Sequence, residues 1–306
     1  MIECVPNFSE GRNPETIRAI VQAIASVGAI QVLRAEADPD HNRSVITFVG
    51  NPEKVRQAAL LGIAEAVRRI DLRTHSGIHP RIGAADVVPF VPLQGVTLDD
   101  CAALAREVGH EVWETLGVPV YFYEAAAQSP ERAPLEAIRR GNLLPDLGGP
   151  ALHPTAGACV IGARKILVAF NVVLNTADLA IARSIARKIR ASSGGLPCVK
   201  ALGLFLPSRN LAQVSINLTD YECTPLQVVY AAVDQEAHAQ GVEILESEII
   251  GLLPRKAIAP PGPAALKCVN FHSGLILENA LQSPTAIRSA PAAPPDPDPS
   301  LSLIHI

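Results

Sequence analysis

Aromatic side chains are scarce in this sequence, at 4% of its 306 residues. That leaves little surface on which unpaired bases could stack. Charge is also sparse: 26 lysines and arginines stand against 30 aspartates and glutamates, for a formal net charge of −4. No bulk electrostatic attraction therefore favours nucleic acid. No apolar run reaches the roughly 18 residues a bilayer span needs. The opening MIECVPNFSEG has neither a basic start nor an apolar signal core. Six cysteines, Cys4, Cys101, Cys159, Cys198, Cys223 and Cys268, stand far apart with no CxxC pair or zinc spacing. They read as buried free thiols rather than a disulfide frame. Neither GxxxxGK[ST] nor GxGxxG occurs, so nucleotide cofactors gain no support. The expectation is a cytoplasmic protein with no nucleic-acid partner and no membrane.

Hydrophobic residues make up 48% of the chain, and a chain of this length buries roughly 75% of its unfolded surface. Cys4–Phe8 is a short apolar segment that ends at a loop, and periodicity predicts a helix from Asn13 or Pro14 to about Val27, with Pro14 in its first turn. Strands follow at Ile30–Leu33 and Ser44–Val49, separated by the polar loop ADPDHNR. Pro52 opens a helix to about Ile70. A strand over Ala85–Val91 precedes a helix over Thr97–Leu116, capped by Thr97 with Asp99 and Asp100 in its first turn. Val118–Tyr123 reads as a strand, and Pro130–Gly149 as one short helix and a Pro/Gly-rich connection.

Further on, Ile166–Leu174 is a strand and Thr176 caps a helix to about Arg190. Val199–Leu206 and Ala212–Leu218 form a hairpin around Pro207-Ser208-Arg209-Asn210. Thr224 caps a helix to Gln240, and Val242–Ile250 is strand-like. Strands and helices alternate in two halves of similar make-up, which favours an α/β (α+β) architecture of two split-βαβ subdomains with helices on one face of each sheet. The division is expected near residue 174, giving subdomains 1–174 and 175–282. Beyond Pro254 the pattern decays. Residues 283–306 are expected to be an extended Pro-rich tail. Its last six residues, LSLIHI, match the translated end of a common transposon-based sequencing adapter and are expected to be an artefact.

Three polar loops flank strands, where sites tend to be built: VPNFSEG at Val5–Gly11, ADPDHNR at Ala37–Arg43, and HSGIHPRIG from His75. In the third, His75 and His79 are four apart, as zinc ligands on a helix can be. Gly77 and Pro80 argue against a helix there, and no glutamate stands between the histidines as a metalloprotease motif requires. Pro80 fixes the backbone after His79, and Gly77 and Gly83 permit close approach of a ligand. Arg81 places a fixed positive charge beside a base suited to proton transfer near neutrality. A fourth stretch, PDLGGPALHPTAGACVIGARK at Pro145–Lys165, reads either as a linker into the next strand or as a flexible loop against a flat ligand.

Six segments occur in order: VPNFSEG, NRSVITFVG, HPRIGAADVVPF, LGVPVYFYEAA, GARKILVAFNVVLNT and LAQVSINLTDY. Together they resemble the formiminotransferase family, from Ile2 to about Pro254 and more weakly through LILENAL near Leu275. The family's transferase stands alone in bacteria and is fused to a cyclodeaminase in animals; no cyclodeaminase domain fits in the residues here. The resemblance implies two ferredoxin-like α/β subdomains with a ligand tunnel between them. It implies transfer of a formimino group from N-formimino-L-glutamate to the co-substrate tetrahydrofolate, giving 5-formimino-tetrahydrofolate and L-glutamate in histidine degradation and one-carbon metabolism. No metal is implied, and a homodimer is left open.

By position, the family's catalytic histidine falls on His79. Its folate-contacting loop falls on Gly148, Gly149, Pro150, Ala151, Leu152, His153, Pro154, Thr155, Ala156 and Gly157. The family often has glutamate before the histidine where Ile78 stands here. It also continues with a helix where this chain has APPGPAALKC. The chemistry adds candidates for substrate binding: Asp38 or Asp40 to hold the charge of a protonated amidine, and Arg43, Arg81 and Arg164 for carboxylates, which guanidinium forks match bidentately. An aspartate in a DPD turn also serves as a turn cap. Three other readings stay open: formyl transfer from N-formylglutamate, a folate-binding homologue without catalysis, and a metal hydrolase using His75 and His79.

Overall fold

The structure is a computed structural model and describes residues 1–258, 260 and 262–283. The expected tail from Pro284, including LSLIHI, lies outside the described residues. The chain divides into two compact units, Met1–Lys165 and a second from Ile166 onward. The division therefore comes earlier than residue 174: the strand ending there belongs to the second sheet.

In the first unit, β1 (Ile2–Cys4) and β2 (Asn7–Phe8) together fill one strand position between β4 (Arg43–Gly50) and β5 (Ala85–Pro92), antiparallel to both. Helix α1 (Pro14–Ala25) leads to β3 (Gln31–Asp38), which pairs with β4; α2 (Pro52–Arg69) leads to β5. This is a βαββαβ frame with strand order β3-β4-β1/β2-β5. Helix α3 (Leu98–Leu116) then leads to β6 (Val120–Glu124), and β7 (Cys159–Ala163) slots between β5 and β6, parallel to both.

Helices α1, α2 and α3 start where the sequence predicts. Asn13 accepts from the Glu15 and Thr16 amides ahead of α1, Asn51 from the Lys54 amide ahead of α2, and Thr97 forms a reciprocal capping box with Asp100 ahead of α3. Ile20, Ile24, Ile63, Val108 and Val112 pack against Phe8, Ile46, Phe48, Phe90 and Phe122. The opposite face is not left bare. Ile138 of the short helix α4 (Leu135–Arg139) joins Val87, Tyr121, Tyr123 and Val160 in a smaller cluster there.

β7 is the element the sequence reading missed. Its CVIGA was absorbed into the glycine-rich stretch before it, yet it is a fully buried interior strand. Gly162 is required there: a Cβ would lie 2.3 Å from the Tyr123 carbonyl oxygen and 2.4 Å from its ring.

The second unit repeats the frame: β8 (Val168–Leu174), α5 (Leu179–Ile189), β9 (Val199–Leu206), β10 (Leu211–Leu218), α6 (Leu226–Ala239), β11 (Ile244–Ile250), with sheet order β11-β8-β10-β9 and every pair antiparallel. The expected hairpin is present. Two expected caps are not. Asp178, not Thr176, accepts from the first turn of α5, and Thr176 instead accepts from the Asp178 amide. The Thr224 hydroxyl donates to the Pro197 carbonyl rather than capping α6, which begins at Leu226 after Pro225 without a side-chain cap.

The segment after Pro254 is better packed than its pattern suggested. Leu266, Leu275 and Ile276 enter the second core, Leu253 and Leu277 are tied by main-chain bonds, and a short helix α7 (Leu277–Gln282) follows. Of the cysteines, Cys4, Cys101 and Cys159 are buried, Cys198 and Cys268 half-buried, and Cys223 exposed, all as free thiols. Among the described residues no helix is long and apolar enough to cross a membrane.

Candidate active site

The three polar loops singled out in the sequence converge in the first unit, and Asn42 is the residue that joins them. Its side-chain oxygen accepts from the Gly11 amide at 2.9 Å, and its amide nitrogen donates to the Ser76 carbonyl at 2.9 Å. Asn42 has the left-handed backbone that asparagine tolerates at the end of a tight turn. Ser9 adds a hydroxyl bond to the Gly83 carbonyl at 2.7 Å, and the Ile78 amide donates to the Asp40 carbonyl at 3.3 Å.

His79 lies inside this junction. Its Nδ1 is 2.8 Å from the Pro80 carbonyl, and its Nε2 is 2.5 Å from Arg43 Nη1. A carbonyl can only accept and a guanidinium can only donate. Nδ1 therefore carries the hydrogen, and Nε2 presents its lone pair to Arg43. Burial first, then the charges of Arg43 and Arg139 and the neighbouring His41, hold His79 well below the ordinary histidine range. At neutral pH it is a neutral base.

Arg43 is itself held in place, with Nη2 donating to the Asn7 side-chain oxygen. Burial and the nearby Arg139 push its guanidinium down to about 10. Arg43 Nε and Arg139 Nε are buried without a hydrogen-bond partner. Arg139 pairs with Asp86 at 2.6 Å, and Asp86 also accepts from the Ile82 amide at 2.6 Å, bracing the loop that carries His79.

Arg81 does not face His79's ring. Its guanidinium meets the His75 ring and donates to the carbonyls of His79, at 2.9 Å, and His41, at 3.3 Å. With a guanidinium against each imidazole, His75 and His79 are not brought together as metal ligands. Asp38 has both oxygens on His41: Oδ1 accepts from its amide and Oδ2 from Nδ1, each at 2.9 Å. Burial alone would raise Asp38, but these bonds outweigh it and hold the carboxyl below its usual range. The aspartate expected to meet substrate is thus turned onto a histidine.

Arg164 stands apart. Its amide bonds to the Phe90 carbonyl, six residues along β5 from the Ala84 end of the His79 loop, about 20 Å at strand rise. There it neighbours Glu3 and Tyr123.

The 148–157 loop crosses the N-terminal ends of β6 and β7, the same end of the parallel strands as the His79 loop at β5. Gly148 has a positive φ and lies beside Pro119 and Trp113, and Gly149 to Leu152 are exposed. His153 and Gly157 exchange two main-chain bonds, and His153 Nδ1 accepts from the Ala156 amide at 3.0 Å. The Thr155 and Ala156 carbonyls accept from Leu72 and Ala84. An open groove of about 340 Å³ beside these loops is lined by Glu10, Arg12, Asn42, Asp71, His75 and Ser76 among others, but does not include His79.

Two family descriptions match the chain: the N-terminal subdomain of the formiminotransferase domain over residues 1–164, and the formiminotransferase domain over residues 169–275. The chain belongs to the formiminotransferase family. It is 46% identical over 296 residues to the glutamate formimidoyltransferase of Thermoplasma acidophilum, covering 92% of this chain and 97% of that protein. Against the glutamate formimidoyltransferase of Streptococcus pyogenes serotype M1 the identity is 39%, covering 92% and 98%. The formimidoyltransferase-cyclodeaminase of Rattus norvegicus is 43% identical over 84% of this chain, which spans 51% of that fused protein.

The formiminotransferase motifs pointed to His79 and the chemistry of carboxylate binding to Arg43, but neither pointed to Asp86, Arg139 or His41. Asp86 carried a signal, since it is a lone charge in an otherwise apolar strand. Arg139 carried none: a short helix was expected within Pro130–Gly149, where α4 lies, but nothing local marks its last arginine as a partner of Asp86.

Proposed function

We propose that this chain is a cytoplasmic glutamate formimidoyltransferase acting in histidine degradation and one-carbon metabolism. It transfers the formimino group of N-formimino-L-glutamate to tetrahydrofolate, releasing L-glutamate and 5-formimino-tetrahydrofolate. The observation that carries this reading is His79, a neutral imidazole with a defined lone pair at Nε2 inside a cluster of arginines. Family membership supports the choice of substrates.

The donor and folate are both carboxylates, and the unpartnered Nε groups of Arg43 and Arg139 are donors suited to them. A substrate carboxylate that takes over Arg43 releases the Nε2 lone pair of His79. Substrate binding and activation of the base are then one event. His79 accepts the proton that the pterin amine loses as it attacks the formimino carbon. The exposed Gly148–Leu152 segment and the braced turn His153–Gly157 are assigned to folate. Arg81 contributes by holding the loop, and Arg164, at the far end of the strands, serves a distal carboxylate if it serves any.

The purified chain should convert formiminoglutamate only when tetrahydrofolate is supplied, with one glutamate released per formimino group transferred. A folded chain giving no product with both substrates present would refute the reading.

A further inference from the structure

His41 is the one imidazole of this cluster whose second nitrogen has nothing to bond. The ring is 10% exposed, its Nδ1 meets Asp38 Oδ2 at 2.9 Å, and Nε2 is buried without a partner. Its centroid lies 5.9 Å from that of His79, edge to face at 72°. Asp38 fixes Nδ1 as an N–H, so Nε2 is the position where a mobile proton can come and go. The backbone holds the ring there from both sides: the His41 amide donates to Asp38 and the His41 carbonyl accepts from Arg81. A buried, oriented imidazole with an unsatisfied nitrogen costs the fold free energy. A ligand that supplies the partner removes that cost.

We propose that His41, oriented by Asp38, is the general acid of the reaction, and that His79 and His41 divide the two proton transfers between them. The inference rests on the transferase reading above. The bond from the pterin nitrogen to the formimino carbon forms, and that nitrogen's proton passes to His79 Nε2. The bond from the same carbon to the glutamate nitrogen then breaks. Its electron pair returns to nitrogen, which takes the proton from His41 Nε2. His79 ends charged and His41 neutral, and exchange with solvent restores both, so no proton is gained or lost over the cycle.

The charges around the two rings are Asp38 at His41 Nδ1, Arg43 on β4, His79 and Arg81 on the loop before β5, Asp86 on β5 and Arg139 on α4. Burial, Arg43 and Arg139 favour a neutral His79. Asp38 is bonded directly to the His41 ring. That asymmetry separates a base from an acid in one cluster.

The test is the pH dependence of turnover in full-length His41→Gln, with tetrahydrofolate binding measured alongside. The wild-type rate should fall on the alkaline side as the acid loses its proton. In the variant, kcat at neutral pH should drop by about 10²-fold or more, the alkaline fall should vanish, and folate affinity should stay within about threefold. Asp38→Asn should weaken the alkaline limb in the same direction. If His41→Gln does not fold, His41→Asn, whose shorter amide still reaches toward Asp38, carries the same test. A kcat within threefold of wild type, or a slower enzyme with its alkaline limb intact, would overturn the inference while leaving the transferase reading standing. A wild-type chain without turnover would overturn both.

Discussion

Glu3 offers a test of the structure that does not depend on activity. It sits on β1, paired on one side with Val49 and on the other with Val91, so its backbone cannot move to bring the side chain to water. The residue is 4% exposed. Burial lifts its carboxyl from the ordinary 4.5 to about 7, against the opposing pull of Arg164. The folded protein thus holds a proton that the unfolded chain has released above about pH 4.5. A raised carboxyl contributes stability in full below that value and loses it as pH rises through about 7. The interval is about 2.5 pH units, and at about 1.4 kcal/mol per unit the loss is about 3 kcal/mol by pH 9. Glu3→Gln keeps the shape of the protonated acid and cannot ionise. Denaturant unfolding of the two proteins from pH 5 to pH 9 should give nearly equal stability at pH 5 and a Gln variant about 3 kcal/mol more stable at pH 9. A difference that stays constant with pH would refute the reasoning, whatever its size.

Other outcomes follow from the same structure. His79→Ala should lower kcat by about 10²–10⁴-fold while tetrahydrofolate affinity changes little. Because His79 is held well below the ordinary range, the acidic fall of the wild-type rate should have its midpoint below pH 6.5; a midpoint at or above that would show that the guanidiniums do not act on it. Gly83→Ala should destabilise by more than about 2 kcal/mol in a thermal or denaturant melt, since the new methyl would lie 1.8 Å from the Ala158 carbonyl oxygen, a backbone atom tied to the same loop by the bond from the Ala158 amide to the Ile82 carbonyl. Leu275→Ala should cost about 2–5 kcal/mol, because its side chain is fully buried in the second core; a cost under about 1 kcal/mol would show that the segment after Pro254 is not part of that core.

What could be read from sequence depended on whether the controlling interaction was local. Helix starts are local: Asn13, Asn51 and Thr97 each satisfy amides two or three residues ahead. Thr176 and Thr224 had the same appearance. Their hydroxyls are spent elsewhere, Thr224 on Pro197, a partner 27 residues back. β7 escaped for a similar reason. Small residues in CVIGA look like loop, and only the neighbouring strands and the Tyr123 ring over Gly162 explain why a strand should be built from them. At the site, the loops were legible as polar breaks beside strands, and His79 was legible from the glycines and proline around it. The roles of Asp38 and Arg81 were not. Both were read as reaching outward, and both are turned inward onto the loops that carry the histidines.

The two units allow a comparison that locates function in the loops rather than the frame. The turn joining β3 to β4 and the turn joining β9 to β10 each run four residues, 39–42 and 207–210, and each ends in an asparagine with a left-handed backbone, Asn42 and Asn210. The geometry is the same and the chemistry is not. Pro39-Asp40-His41-Asn42 places an imidazole and a bridging amide into the cluster, whereas Pro207-Ser208-Arg209-Asn210 closes a hairpin. The connection into the last strand of each frame differs more. Residues 240–243 suffice between α6 and β11, while residues 70–84 separate α2 from β5 and carry His75, His79 and Arg81. A site at this position lies outside the N-terminal ends of the parallel strands β5, β7 and β6, not at the carboxyl ends where open parallel sheets usually bind ligands. That usual rule follows from loops leaving the strands at their carboxyl ends. Here the long loops enter the strands instead, and the site goes where they are. A frame that folds as well with a four-residue connection, as the second unit does, has no structural need for fifteen, and the extra length is what carries His75, His79 and Arg81.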